Sequence, residues 1–279
     1  MRILIIGYGS VGRRHALNAQ ALGHEVLTRD VLQSAEDRAV ADSVVVGAPD
    51  DFAFDAMVVA VPSSLHGCFL GRGWHDIPML IEKPLALTVA EAEAGDEREA
   101  FTMVGYNWRW HPDIVGAMEA WPEPPDRIHL DCNTMIADWP GSDYADPLVE
   151  CSHEMDLLRW MRGGDLTLVA AGPQDGYQGC WLEFERGDRI DLRWNAPPSR
   201  RLIAQWGGRY PEQAIWPSLG AALEQSYRKE LAWFLALVKS GREAMWTVNV
   251  GRPRYATFAD GLAVLKICEQ AKALLVAAV

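Results

Sequence analysis

Several groups of residues have types and spacings that could do chemistry. Gly7-Tyr8-Gly9-Ser10-Val11-Gly12 is a G-x-G-x-x-G run set between an apolar strand-like segment and a helical stretch. In that context the glycines permit a tight turn, close approach of a pyrophosphate, and close helix–strand packing, with phosphate held at the helix N-terminus. The run reads as a dinucleotide site, the alternative being a glycine-rich turn of another α/β protein. Asp30, eighteen residues beyond Gly12, stands where a carboxylate bonds the ribose 2′-hydroxyl and repels a 2′-phosphate. Arg29 could instead accept NADP, but Val31 adds no second basic residue, so the expected cofactor is NAD with NADP possible. A solvated turn carboxylate is the bland reading of Asp30.

Lys83 follows an apolar strand-like run and stands at the carboxyl end of that strand, where ligands of open α/β sheets bind. Its ammonium could stabilise a developing alkoxide, or it is a surface lysine before a proline. His153 is a candidate base because imidazole titrates nearest neutrality. Asp156, three residues on, shares its helical face and could orient the imidazole or contact substrate. Hydrogen bonding within a helix is the structural reading of His153. A metal pair from His153 and Asp156 lacks a third ligand at sensible spacing, so no metal is expected.

The elements that must position these residues alternate at first. Strand-like runs at 2–6, 25–28, 44–46, 56–61, 79–81 and 102–104 are separated by helical stretches, at 11–22 and 34–40 and more weakly beyond. This pattern implies βαβ units and a parallel sheet. After about residue 106 a helix is expected from Pro147 to Met161, with Leu157, Leu158 and Met161 as its apolar stripe. Four or five strands follow between 165 and 216, including a hairpin across Gly187-Asp188, and then helices at 222–239 and 254–275. The fold class is therefore α/β, an N-terminal Rossmann parallel sheet and a C-terminal α+β domain on a mostly antiparallel open sheet. The expected domains are 1–106 for the dinucleotide and 107–279 for substrate and oligomerisation.

Composition narrows the partners. The chain has 279 residues and a net charge of −12, which argues against nucleic acid and anionic membrane. Five scattered cysteines without a C-x-x-C pair suit reduced thiols in the cytoplasm. No signal-peptide pattern precedes the first strand, and no apolar run approaches the ~20 residues of a membrane helix. Eleven of the twelve tryptophans lie beyond residue 100. They read as core and interface packing, with sugar-stacking platforms the minor alternative. A sheet face rich in tryptophan would need covering, so a homodimer or larger assembly is expected.

Further segments resemble the glucose–fructose oxidoreductase and inositol dehydrogenase family. Val59-Ala60-Val61-Pro62-Ser63-Ser64-Leu65-His66 resembles its strand followed by T/S-P-x-x-x-H, and Glu82-Lys83-Pro84 its E-K-P motif. Gly105-Tyr106-Asn107-Trp108-Arg109 looks like its G-(F/Y)-N-x-R segment. Ser152-His153-Glu154-Met155-Asp156-Leu157-Leu158 is similar to its H-x-x-D helix. Order and spacing fit from Met1 to about Met161. The resemblance implies hydride transfer between a nicotinamide and a secondary alcohol or ketone, commonly of a sugar or cyclitol. Lys83 would lie beside the reacting carbon, and Lys83 and His153 would be catalytic. It also implies that Pro62, Ser63, His66 and Glu82 border the cofactor, along with the glycine turn and Asp30. Capping the following helix is the other reading of His66. Asn107 and Arg109 would border the substrate, with Arg109 able to bind a carboxylate or phosphate of an acidic sugar. The family's polyol dehydrogenases place an aspartate four residues before the histidine; here that position is Val149, with Glu150 beside it as a substitute contact. The glycine-rich stretch usual before that helix is replaced by Asp143-Tyr144-Ala145-Asp146-Pro147. Two other functions stay open on the same scaffold: reduction of an imine or other unsaturated bond, and a non-catalytic sensor that holds NAD.

Overall fold

The computed structural model describes residues 1–47, 53–71, 74, 76–95, 101–134, 147–176, 178–194, 196–247 and 255–277. They form two compact units, one of residues 1–107 with 226–262 and one of 108–225 with 263–279. A single boundary at residue 106 is the sequence expectation. In the structure the chain passes between the units twice more, inside its last two long helices.

The first unit is a seven-stranded sheet. Its parallel strands are β1 (Arg2–Ile6), β2 (Glu25–Arg29), β3 (Val45–Val46), β4 (Ala56–Val59), β5 (Met79–Glu82) and β6 (Thr102–Gly105). Side chains of β1, β4 and β5 are buried on both faces, which is why they read as continuous apolar runs rather than alternating ones. Connecting helices α1 (Ser10–Ala21), α2 (Gln33–Ala41), α3 (His66–Leu70) and α4 (Val89–Glu93) complete the βαβ units. The strand order β3-β2-β1-β4-β5-β6 is that of a doubly wound dinucleotide fold, with its crevice where the order reverses between β1 and β4.

In the second unit α5 (Pro112–Ala120) leads to β7 (Arg127–Thr134), and α6 (Pro147–Glu150) and α7 (Ser152–Arg162) follow. The rest of its sheet is β8 (Leu168–Pro173), β9 (Gln178–Phe184), β10 (Arg189–Trp194), β11 (Ser199–Gln205) and β12 (Gln213–Ile215). The order is β12-β11-β7-β10-β9-β8, antiparallel except for the β7–β10 pair. The β9–β10 hairpin turns at Gly187, whose φ of 73° is the left-handed conformation such turns use. Helices α8 (Ala221–Thr247) and α9 (Phe258–Ala277) close the chain around β13 (Ala256–Thr257), which pairs antiparallel with β6. No helix among the described residues is long and apolar enough to cross a membrane.

Three sequence expectations change. The strand β7, at the centre of the second sheet, has no counterpart in the sequence reading, although Ile128, Leu130 and Cys132 alternate inward with His129, Asp131 and Asn133. The helix expected over Pro147–Met161 is two helices, because the backbone of Cys151 leaves helical geometry and α7 restarts after it. Every residue of α7 from Ser152 to Met161 is buried, so the helix is a core element and not one with a single apolar stripe.

The third concerns the open sheet face. By alternation it holds His129, Asp131 and Asn133 of β7, Arg189, Asp191 and Arg193 of β10, and Trp181 of β9. His129 Nε2 lies 2.5 Å from Asp191 Oδ2, Arg189 Nη2 donates to Asp191 Oδ1 at 2.9 Å, and Arg193 pairs with Asp131. Burial opposes ionisation of Asp191, yet the bonds from His129 and Arg189 hold its carboxyl well below the ordinary value. The face is thus a charge lattice, not the tryptophan-rich apolar surface expected. Trp108, Trp110, Trp160 and Trp206 are buried instead, in keeping with core packing.

The hairpin turn is locked to the start of β7. Arg162 Nε donates to Asp188 Oδ2 at 2.6 Å and Nη1 to the Pro125 carbonyl at 2.7 Å, while the Ile128 N–H donates to Asp188 Oδ1 at 2.7 Å. Both side chains are buried, 8% and 1% exposed. Removing one partner leaves a buried charge unmet, so Asp188→Ala is expected to cost about 3–5 kcal/mol in urea denaturation. A loss below about 1 kcal/mol, the range of a surface pair, would show that the pair is not a lock.

Candidate functional site

In the first unit the glycine turn leaves β1 and enters α1. Gly7 has φ 88°, and a Cβ there would lie 2.6 Å from the Ala60 carbonyl oxygen. A Cβ on Gly12 would fall 1.9 Å from the Gly7 carbonyl oxygen, so only glycine lets the helix pack this close to the turn. Gly9 differs: a Cβ there meets nothing within 4 Å. Gly9 is the N-cap of α1, no side chain caps the helix, and Ser10 is exposed while Val11 is half-buried. The first-turn N–H groups thus face open space across Gly9, a cradle that a side chain would fill and a phosphate fits.

Asp30 stands just past β2, half-buried. Its Oδ2 accepts from the Tyr8 N–H at 2.6 Å and its Oδ1 from the Leu32 N–H at 2.8 Å. These backbone bonds orient the carboxylate and leave each oxygen a second lone pair for a hydroxyl. The residues present therefore suit an NAD pyrophosphate on the Gly7–Gly12 turn and a ribose at Asp30.

Three other residues expected to border the cofactor, and one expected at the substrate, are tied up in the fold. Tyr8 is fully buried and donates from its hydroxyl to Asp42 Oδ2 at 2.9 Å. Burial and the Asp42 contact raise its pKa, so only its backbone belongs to the turn. Glu82 is 8% exposed and its Oε1 lies 2.6 Å from Nε2 of the fully buried His15 on α1. It ties β5 to the glycine helix, a link the sequence reading missed because His15 carries no local signal. His66 is 1% exposed, with Nδ1 2.6 Å from the Pro84 carbonyl oxygen and Nε2 3.1 Å from that of Val61. It joins the loops after β4 and β5 and does not face outward. Asn107, expected at the substrate, is 1% exposed and donates from Nδ2 to Ser226 Oγ at 2.8 Å. Pro62 is exposed and Ser63 half-buried at the carboxyl end of β4. Lys83 is half-buried directly after β5, before a cis peptide bond to Pro84.

The second unit's site forms around α7. His153 is 8% exposed, and its ring meets Trp108 edge-on at 6.4 Å between centroids. Arg109 and Asp156 are corrected together. Arg109 Nε donates to Asp156 Oδ2 at 2.8 Å and Nη2 to Oδ1 at 2.5 Å, with side chains 3% and 1% exposed. The arginine expected to bind an anionic substrate is instead the buried partner of the aspartate expected beside the histidine. This bidentate pair fixes α7 to the segment that carries Trp108. Val149 is buried in α6; the side chain of Glu150 and residues 143–146 lie outside the described residues.

Beside His153 the sequence reading missed a second pair. Arg200 of β11 donates from Nε to Glu154 Oε1 at 2.8 Å and lies 4.6 Å from the Trp108 ring centroid. Burial opposes the Arg200 charge, but Glu154 more than offsets it and raises its pKa further. Burial and the Glu154 carboxylate push the Cys132 thiol up as well. The two members are 46 residues apart, so no local spacing announces them.

Comparison with known proteins shows that this fold is shared with solved structures of several dehydrogenases. The structure resembles a myo-inositol dehydrogenase from Corynebacterium glutamicum at TM-score 0.79 and 18% identity, covering 99% of this chain and 97% of that one. It resembles a UDP-N-acetylglucosamine 3-dehydrogenase from Acidithiobacillus ferrooxidans at TM-score 0.75 and 22% identity, covering 99% and 98%. A third similar structure is a myo-inositol dehydrogenase from Lactobacillus casei in complex with NAD(H) and myo-inositol. There the TM-score is 0.73 and the identity 18%, with 98% of this chain and 94% of that one covered. No curated protein matches the chain by sequence. Residues 1–102 match the model of an oxidoreductase family with an NAD-binding Rossmann fold.

Proposed function

We propose that the protein is an NAD-dependent oxidoreductase that moves a hydride between nicotinamide and a secondary alcohol or ketone of a sugar or sugar derivative. The observation that carries this reading is the open cradle at Gly9 before the uncapped α1, with the oriented Asp30 carboxylate favouring NAD over NADP. When bound, NAD supplies the hydride acceptor. The work of the chain is to hold it and to handle the proton and charge on the alcohol oxygen. Lys83 provides the cation that stabilises the developing alkoxide, and His153 takes the hydroxyl proton. The polyol and sugar-nucleotide substrates named for the similar structures support the substrate class.

Four of the five cysteines are buried and all five are free, which supports a reducing, cytoplasmic setting.

The test is nicotinamide absorbance against inositols, sugars and sugar acids, with NADH binding followed separately by fluorescence. Lys83→Ala and His153→Ala are each expected to lower kcat/KM by at least about 100-fold while NADH still binds. Tight NADH binding by the wild type with no turnover in either direction would overturn the enzyme reading in favour of a binding protein. Gly9→Ala probes the cradle: its Cβ meets no protein atom, so unfolding should match the wild type while NADH affinity falls about tenfold or more. Unchanged affinity would show that the phosphates do not approach there.

A further inference from the structure

At the carboxyl end of β2 the first unit sets two opposite charges next to each other, Arg29 and Asp30. Asp30 is oriented by the Tyr8 and Leu32 N–H groups and suits a ribose hydroxyl. Arg29 is the cation that could favour a 2′-phosphate at the same place, but its guanidinium is already engaged. Nη1 donates to Glu36 Oε1 at 3.0 Å, and the same oxygen lies 3.5 Å from the Asp30 amide nitrogen. Glu36 comes from the first turn of α2, where the helix dipole favours a carboxylate. The partners differ in burial, the Arg29 side chain being 51% exposed and that of Glu36 only 12%. Exposure of the arginine makes the pair weak by itself. Drawing it away, however, would leave a mostly buried carboxylate without its cation, which is costly. Neighbouring positions bring no replacement at this end of the strand. Val31 and Leu32 are exposed and apolar, and Arg38 stands in the last turn of α2. Arg13 of α1 is held by both oxygens of Asp42, at 2.6 and 2.9 Å.

We infer that Glu36 is a specificity-determining residue, which keeps NADP out by holding Arg29 and by setting a second negative charge behind Asp30. The inference rests on the reading that the Gly7–Gly12 turn and Asp30 hold NAD, and it deepens that reading by naming what decides between the cofactors. Arg29 and Asp30 side by side carry one feature suited to each cofactor. Glu36, seven residues beyond Arg29, removes the feature suited to NADP. A 2′-phosphate would have to take Arg29 from Glu36 or enter against both carboxylates. A ribose hydroxyl does neither, since it meets Asp30 as a neutral donor.

The test is fluorescence titration of the full chain with NADH and with NADPH, read as the ratio of the two Kd values and independent of turnover. The wild type is expected to bind NADH more tightly. Glu36→Ala should raise NADPH affinity about 5- to 10-fold, as expected for one released charge contact, and leave NADH affinity within about twofold. A merely structural glutamate would move both affinities together. Arg29→Ala should then lower NADPH affinity about fivefold or more in the Glu36→Ala background and less than about twofold in the wild type, because only the released arginine reaches the phosphate. Glu36→Gln keeps the shape of the side chain and should move the ratio in the same direction, so the test stands even where the alanine variant folds poorly. An unchanged ratio in the folded Glu36→Gln protein would overturn the inference. So would an equal effect of Arg29→Ala in both backgrounds, or a wild type that prefers NADPH. Binding of neither nucleotide by the wild type would instead overturn the cofactor reading on which the inference stands, so the two failures are distinguishable.

Discussion

A guanidinium and a carboxylate withdrawn almost wholly from water must meet each other in good geometry, and Arg109 and Asp156 do so through two parallel bonds. The second unit's site is built outward from that pair. Asp156 places one face of α7, and the same helix carries His153 and Glu154. Arg109 places the turn that carries Trp108, which is the ring beside His153 and beneath Arg200. Pairing of this kind is weak evidence for stability in itself, since desolvation offsets much of the Coulomb gain. Its contribution is registration: only one relative position of the helix and the turn satisfies both bonds.

The first unit solves a different problem with smaller groups. Its turn works by what is missing, since side chains at Gly7 and Gly12 would collide with backbone and one at Gly9 would fill open space. The glycine helix is then fixed from beneath by His15 on Glu82, and the next loops are fixed by His66 between two carbonyls. Buried titratable groups here tie the glycine helix to β5 and the loops after β4 and β5 to each other.

What could be read in the sequence was what is local. The glycine run, the carboxylate after β2, the lysine after β5 and the hairpin at Gly187 each depend on neighbours within a few residues, so residue type and spacing sufficed. What escaped depends on partners far along the chain. Arg109 has the type of a substrate-binding residue, and only the fold shows that Asp156, 47 positions away, already holds it. Arg200 in β11 looks like a solvated strand arginine until Glu154 and Trp108 are placed beside it. The missed strand β7 is the exception, because its inward Ile128, Leu130 and Cys132 alternate with polar residues in the plain period of a strand. The Pro147–Met161 helix was read as one because nothing in residue type marks the break at Cys151.

The short strand β13 bears on how the protein is made. It lies at the edge of the first sheet, antiparallel to β6, yet comes from residues 256–257, some 150 positions later in the chain. During synthesis β6 therefore remains a bare edge, offering unpaired backbone groups, until nearly the whole polypeptide has emerged from the ribosome. The N-terminal unit cannot finish first and wait for its partner, as sequential domains do. It must hold an incomplete sheet through the translation of the entire second sheet, so that emergence of the C-terminal helices, not of residue 106, marks the end of its exposure to mispairing.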